Sequence, residues 1–216
     1  MAILFDGRLS AGGFGVYNRV DIAPGSSDVP PLNEGREEYY ERVLDPIGGA
    51  RYVAKLTAYS GAPGRCEMRP SVEDPPGPGP EYGTRWFYFE TLFYDWQIDR
   101  SSSVTASISS KLGDARDMIA QLHDTADVGD TTHQPPFMLA VEGERIYFYT
   151  SYDTSATTVA TAPNLRVLQS FPLDRGRWIK WALHIKYTIN NDGFMHLYKD
   201  RRKVYSVTAT PTAYND

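Results

Sequence analysis

The segment RWIKWALHIKYT, residues 177–188, alternates strictly between two kinds of side chain. Ile179, Trp181, Leu183, Ile185 and Tyr187 fall on one side of an extended chain, and Trp178, Lys180, Ala182, His184 and Lys186 on the other. A strand turns successive side chains to opposite faces, whereas a helix groups residues three and four apart. The pattern therefore predicts a β-strand with one face in a core. The same period recurs in residues 51–59, 85–96, 116–123, 137–141, 145–150, 194–199 and 203–208. In RWFYFETLFYDW, residues 85–96, Phe87, Phe89 and Phe93 make the apolar side, while Trp86, Tyr88, Glu90, Tyr94 and Trp96 make the other. Turn residues separate these segments, and Asn191-Asp192-Gly193 predicts a tight hairpin, since Asp-Gly tolerates positive φ. Only NEGREEYYERVL, residues 33–44, has a helical pattern, with Asn33 as N-cap. The Pro- and Gly-rich stretches 22–32 and 70–83 read as loops, since strand patterns continue on both sides. The expectation is an all-β chain, a single domain over residues 1–216, built as an antiparallel β-sandwich or jelly roll.

Composition narrows the function. Aromatic residues reach 13%, with 15 Tyr and 4 Trp. Flat apolar rings with polar tips suit sugar binding as well as strands. The formal charge of −5 argues against nucleic acid as a partner, although a local basic cleft for an anionic polymer is compatible with it. One cysteine, Cys66, excludes an intrachain disulfide, and its place in the alternation predicts a small inward-facing residue. No segment approaches the ~20 apolar residues of a membrane-spanning helix. The start MAILFDGRLSAGG lacks the pattern of a secretion signal. That leaves a protein working where it is made, one carried out by another route such as a virus particle, or one trimmed of its signal.

Two short stretches carry candidate chemistry. GRCEMRP, residues 64–70, places Arg65, Glu67 and Arg69 on one strand face. Two guanidinium groups there could grip a carboxylate, with Glu67 holding them in place, or the three could form a solvent-facing ion-pair ladder. DMIAQLHDT, residues 117–125, puts Met118, Ala120 and Leu122 on one side and Ile119, Gln121 and His123 on the other. An amide and an imidazole two residues apart are unexpected in an apolar strand. His133, His184 and His196 have no metal-ligand spacing, so no metal is expected. The basic run KDRRK, residues 199–203, is expected at a hairpin tip.

R-x-E-x-R followed by Q-x-H, each on a strand of an all-β chain, resembles the jelly-roll polysaccharide lyases: alginate lyases, glucuronan lyases and relatives of heparin lyase I. DPIGGARYVAKLTAYSGAPGRCEMRP is similar to the approach to that family's arginine motif, and RGRWIKWALHIKYTINNDGFMHLYKDRRKV to its later hairpin. The resemblance covers roughly residues 45–216. It implies β-elimination on a uronic-acid polymer, without metal or organic cofactor. Gln121 and Arg65 would bind or neutralise the uronate carboxylate, with Arg69 assisting. His123 would be the base or a second neutralising group. Trp86, Tyr88 and Trp96 are the candidate sugar-stacking residues. The family's late Y-F-K-x-G-x-Y strand, which supplies a catalytic tyrosine, has no counterpart before PTAYND. Tyr198, Tyr205 and Tyr214 stand in no matching motif. Either the sequence stops short of that strand or the scaffold has lost it, which would leave a sheet edge open to a partner chain.

Three readings follow: a lyase acting on an anionic polysaccharide, a non-catalytic carbohydrate-binding module, and a structural or decoration protein, for example on a phage particle. The retained motifs favour the first. The absent tyrosine motif favours the other two.

Overall fold

The structure, a computed structural model, describes residues 17–22, 26–28, 40–48, 51–56, 66–70, 83–93, 117–122, 129–131, 133–161 and 163–214. The chain falls into two compact units, Met1–Pro76 and Gly77–Asp216. Every regular element among the described residues is a strand.

The first unit holds β1 (Tyr17–Ile22), β2 (Ser26–Asp28), β3 (Tyr40–Leu44), β4 (Tyr52–Leu56) and β5 (Cys66–Pro70). β1 pairs antiparallel with both β2 and β5, and β3 pairs antiparallel with β4. β3 occupies the end of the stretch with the helical pattern. Residues 33–39 lie outside the described residues, but 40–44 are extended. Their partners explain this: Tyr40 stands opposite Leu56 and Leu44 opposite Tyr52. Asp45 closes the hairpin, accepting hydrogen bonds from the Ile47 amide at 3.1 Å and Arg51 Nε at 2.9 Å. Cross-strand pairing outweighs a helix propensity of a few tenths of a kcal/mol per residue.

The second unit holds β6 (Thr84–Leu92), β7 (Asp117–Leu122), β8 (Phe137–Glu142), β9 (Arg145–Thr150), β10 (Arg166–Pro172), β11 (Trp178–Lys186), β12 (Gly193–Lys199) and β13 (Arg202–Thr210). They form two four-stranded antiparallel sheets, ordered β10-β9-β8-β7 and β13-β12-β11-β6. One core lies between them. The first sheet sends in Phe137, Leu139, Val141, Ile146, Phe148 and Phe171; the second sends in Ile179, Trp181, Leu183, Ile185, Met195 and Leu197. The alternation of β11 is obeyed throughout: Ile179, Leu183 and Ile185 are sealed, with Lys180 exposed between them. Trp181, also buried, donates from Nε1 to Thr91 Oγ1 at 3.0 Å, so the indole is buried with its polar atom satisfied. The second unit is thus an antiparallel β-sandwich, as the alternation predicts.

Two local expectations change. The β7 register shifts between Met118 and Ala120. A bulge of this kind moves neighbours to the opposite face. Ile119, Ala120 and Leu122 pack on the core, whereas Met118, expected there, is exposed. Gly193 also differs: it does not adopt positive φ but opens β12. Its lack of a side chain is needed for space, because a Cβ would lie 2.4 Å from the Thr210 carbonyl oxygen. The tight turn is one hairpin later, where Asp200 (φ 50°) and Arg201 (φ 67°) join β12 to β13 within the KDRRK run.

Candidate functional site

The sandwich has two outward faces, and the candidate residues are divided between them. On the β7–β10 sheet, the positions alternating with the core residues point away from the core. Gln121 stands opposite Met138, Met138 opposite Tyr149, and Tyr149 opposite Val167. The next row runs Met118, Ala140, Tyr147, Ser170, and Glu142 lies opposite Arg145 beyond it. This outer face is unusually enclosed. Met138, Ala140 and Tyr149 are buried and pack with Tyr147 and Leu165. The Tyr147 and Tyr149 rings lie 5.9 Å apart, and the Tyr149 hydroxyl is 3.5 Å from Glu142 Oε2. Arg145 donates from Nε and from a terminal nitrogen to Ser170 Oγ at 3.2 and 2.7 Å. The face therefore sets an amide, two phenols and a carboxylate on one rigid sheet.

The other expected groups fall as follows. Arg65, His123 and Trp96 lie outside the described residues. Glu67 and Arg69 lie on β5 as expected, in register with Asp21 and Arg19 of β1. β1 went unread in the sequence, and it adds two charged positions beside the arginine strand. The arginine strand belongs to the first unit and the Gln121 strand to the second.

Trp86 and Tyr88 are not on the Gln121 face. They project from β6 on the second sheet, with the core between them and Gln121. The reason is the parity of β6, whose inward residues Phe87 and Phe89 pack on that core. Trp86 stacks on His184 with ring centroids 4.0 Å apart and planes 4° from parallel. Tyr88 lies 5.8 Å from Trp86, 7° from parallel. His196 and Tyr198 continue the patch on β12. Burial, then the nearby positive charge of Lys203, hold the His184 pKa below the ordinary imidazole value. The same causes in the same order lower His196, with His184 adding to them.

Of the tyrosines weighed from the sequence, Tyr205 packs edge-on against Phe148, and Tyr214 is buried. The Tyr214 hydroxyl lies 2.8 Å from the Gln134 carbonyl and 2.6 Å from Ser151 Oγ, a structural clasp on the C-terminal segment. Tyr198 is on the second sheet. Among the described residues, the phenols on the Gln121 face are Tyr147 and Tyr149, which sequence reasoning passed over. The signal was present: in RIYFYT the core positions Ile146 and Phe148 leave both tyrosines on the opposite side. Among the described residues, no three His, Cys, Asp or Glu side chains gather as a metal site would require.

The family model described as "Polysaccharide lyase" matches residues 34–216. Among solved structures, the crystal structure of endo-β-1,4-glucuronan lyase from the fungus Trichoderma reesei is similar at 18% identity and a TM-score of 0.46. That match covers 62% of this chain and 51% of the fungal one, so the likeness spans about half the length of that enzyme. No curated protein matches the sequence.

Proposed function

The chain belongs to the polysaccharide lyase family, and on that premise we propose that it binds an acidic polysaccharide on the Gln121 face and cleaves it by β-elimination. The supporting observation is that the family match runs from residue 34 to 216 and so contains both the R-x-E-x-R and the Q-x-H stretches. It also crosses the boundary near Pro76, which supports reading the two units as parts of one lyase domain.

The chemistry has three requirements. A uronate C5 proton is only weakly acidic, so the carboxylate must be neutralised as the enolate develops, and preorganised donors do this best. The Gln121 amide is a donor of that kind, fixed by a strand on a sandwich core. In this proposal Arg65 and Arg69 add positive charge, with Glu67 orienting them. A base must then take the proton. His123, two residues beyond Gln121, fills that role, because an imidazole titrates near neutrality. Finally an acid must protonate the departing glycosidic oxygen. The Tyr147 hydroxyl stands on the same face as Gln121 and is only half-buried, so it supplies that proton, whereas Tyr149 is buried with its hydroxyl against Glu142.

The test is direct. Incubation with alginate, glucuronan and heparin should give rising ultraviolet absorbance from the unsaturated product with at least one polymer. Tyr147→Phe and Tyr149→Phe, compared side by side, should divide: the acid loses turnover by about 10²-fold or more, a typical general-acid contribution, while the other stays within a few fold. A full-length protein that leaves every polyuronate intact would refute the enzymatic reading.

A further inference from the structure

The patch on the second sheet lies across the core from Gln121, so the proposed chemistry leaves it unused. Its rows are regular. Trp86, His184 and His196 stand side by side across three strands, and Tyr88, Ala182, Tyr198 and Lys203 across four. Ala182 is the small member of its row. It leaves room for the Trp86 ring to lean over β11, where it stacks on His184 and comes within 5.6 Å of the Tyr198 centroid. Trp86 is still 39% exposed and Tyr88 63%. Large exposed rings gathered on one sheet face are costly in water unless something uses them.

The charges say what kind of ligand fits. Lys186 is neutralised by Asp192 at 2.5 Å, and Lys180 is 3.7 Å from Glu90. Lys203 sits 5.7 Å over the Tyr198 ring and, among the described residues, meets no carboxylate. An ammonium over the Tyr198 ring, at one end of a row that begins with the exposed Tyr88, matches a sugar with an apolar ring face and an acidic substituent. A second copy of this chain is the competing occupant, and the oligomeric state distinguishes it. The two imidazoles, held neutral by burial and by Lys203, keep the stack uncharged near pH 7.

We propose that this face is a second glycan-binding surface, which holds an acidic polysaccharide by stacking on Trp86 and Tyr88 and by pairing Lys203 with a carboxylate. It rests on the reading that the substrate is an acidic polysaccharide. It goes beyond that reading by giving the protein a non-catalytic hold on the polymer, on the side remote from cleavage.

Titration calorimetry with long polyuronate, on the full chain, tests it. Trp86→Ala and Lys203→Glu should each weaken binding about tenfold, within the range of one stacked or paired group. Both should leave cleavage of short oligosaccharides unchanged. Gln121→Ala should remove cleavage yet keep this binding. If Trp86→Ala and Lys203→Glu bind long polymer like the parent while Gln121→Ala does not, the second surface is refuted and the lyase reading stands. If the parent neither binds nor cleaves any polyuronate, both fall. Light scattering closes the alternative: a dimer that Trp86→Ala makes monomeric, with polymer affinity unchanged, would overturn the proposal.

Discussion

At the scale of single residues, His184 is the most informative. Its pKa lies below the ordinary imidazole value because it is partly buried, stacked on Trp86, with Lys203 as a second cause. The sign follows from linkage. Below the unfolded value of about 6.5 the unfolded chain takes up a proton that the folded chain resists, so protonation favours unfolding. The stabilising contribution is complete above that value and is lost as the pH falls through it toward the lower folded value. The groups facing His184 are Trp86 from β6, Phe194 and His196 from β12, and Lys203 from β13. His196 shares the behaviour and its causes. Thermal melts between pH 7 and pH 5 should therefore show a falling midpoint, with a shallower fall in His184→Phe. An unchanged slope would mean that the ring titrates as it does in the unfolded chain. Asp174 acts in a similar direction for the opposite reason. Its hydrogen bond from Lys199 at 2.5 Å, followed by that from Arg177, lowers its pKa, so its contribution is also lost on acidification.

At the scale of elements, the strands were legible and their exceptions were not. β4, β6, β7, β8, β9, β11, β12 and β13 all fall within or beside the alternating segments, because a half-buried strand must alternate. β10 was missed: RVLQSFP is interrupted by a register shift between Val167 and Gln169, which breaks the period. β3 was read as a helix because its partner strand cannot be seen locally. The same limit hid the bulge that turns Met118 outward. The site divides in the same way. The pairing of Gln121 with a polar outer face could be read from the period. That Trp86 and Tyr88 belong to the other sheet could not, because strand order is a property of the assembled sandwich. Two substitutions test the turns. Gly193→Ala should cost about 1–3 kcal/mol, since the added methyl meets the Thr210 carbonyl. Arg201→Gly should stabilise by about 0.5–1 kcal/mol by relieving a left-handed conformation that a bulky residue adopts poorly. Denaturant titration reads both, and a destabilised Arg201→Gly would contradict the turn assignment.

At the scale of the whole molecule, the sandwich core is a partition. It separates a face bearing an amide and two phenols from one bearing rings and a spare ammonium. Both depend on the same buried layer, so Leu183→Ala, at the centre of that layer, should cost about 2–5 kcal/mol. The two faces should nevertheless be separable by mutation, because Gln121 and Trp86 share no contact across the core. The most direct measurement of the central claim is the turnover of Gln121→Ala on whichever polyuronate the parent cleaves, alongside its melting temperature. The predicted result is a fall in kcat/KM of roughly 10²–10³, the usual loss for one preorganised donor to a developing anion, at an unchanged melting temperature. Parental turnover in a correctly folded Gln121→Ala protein would contradict it.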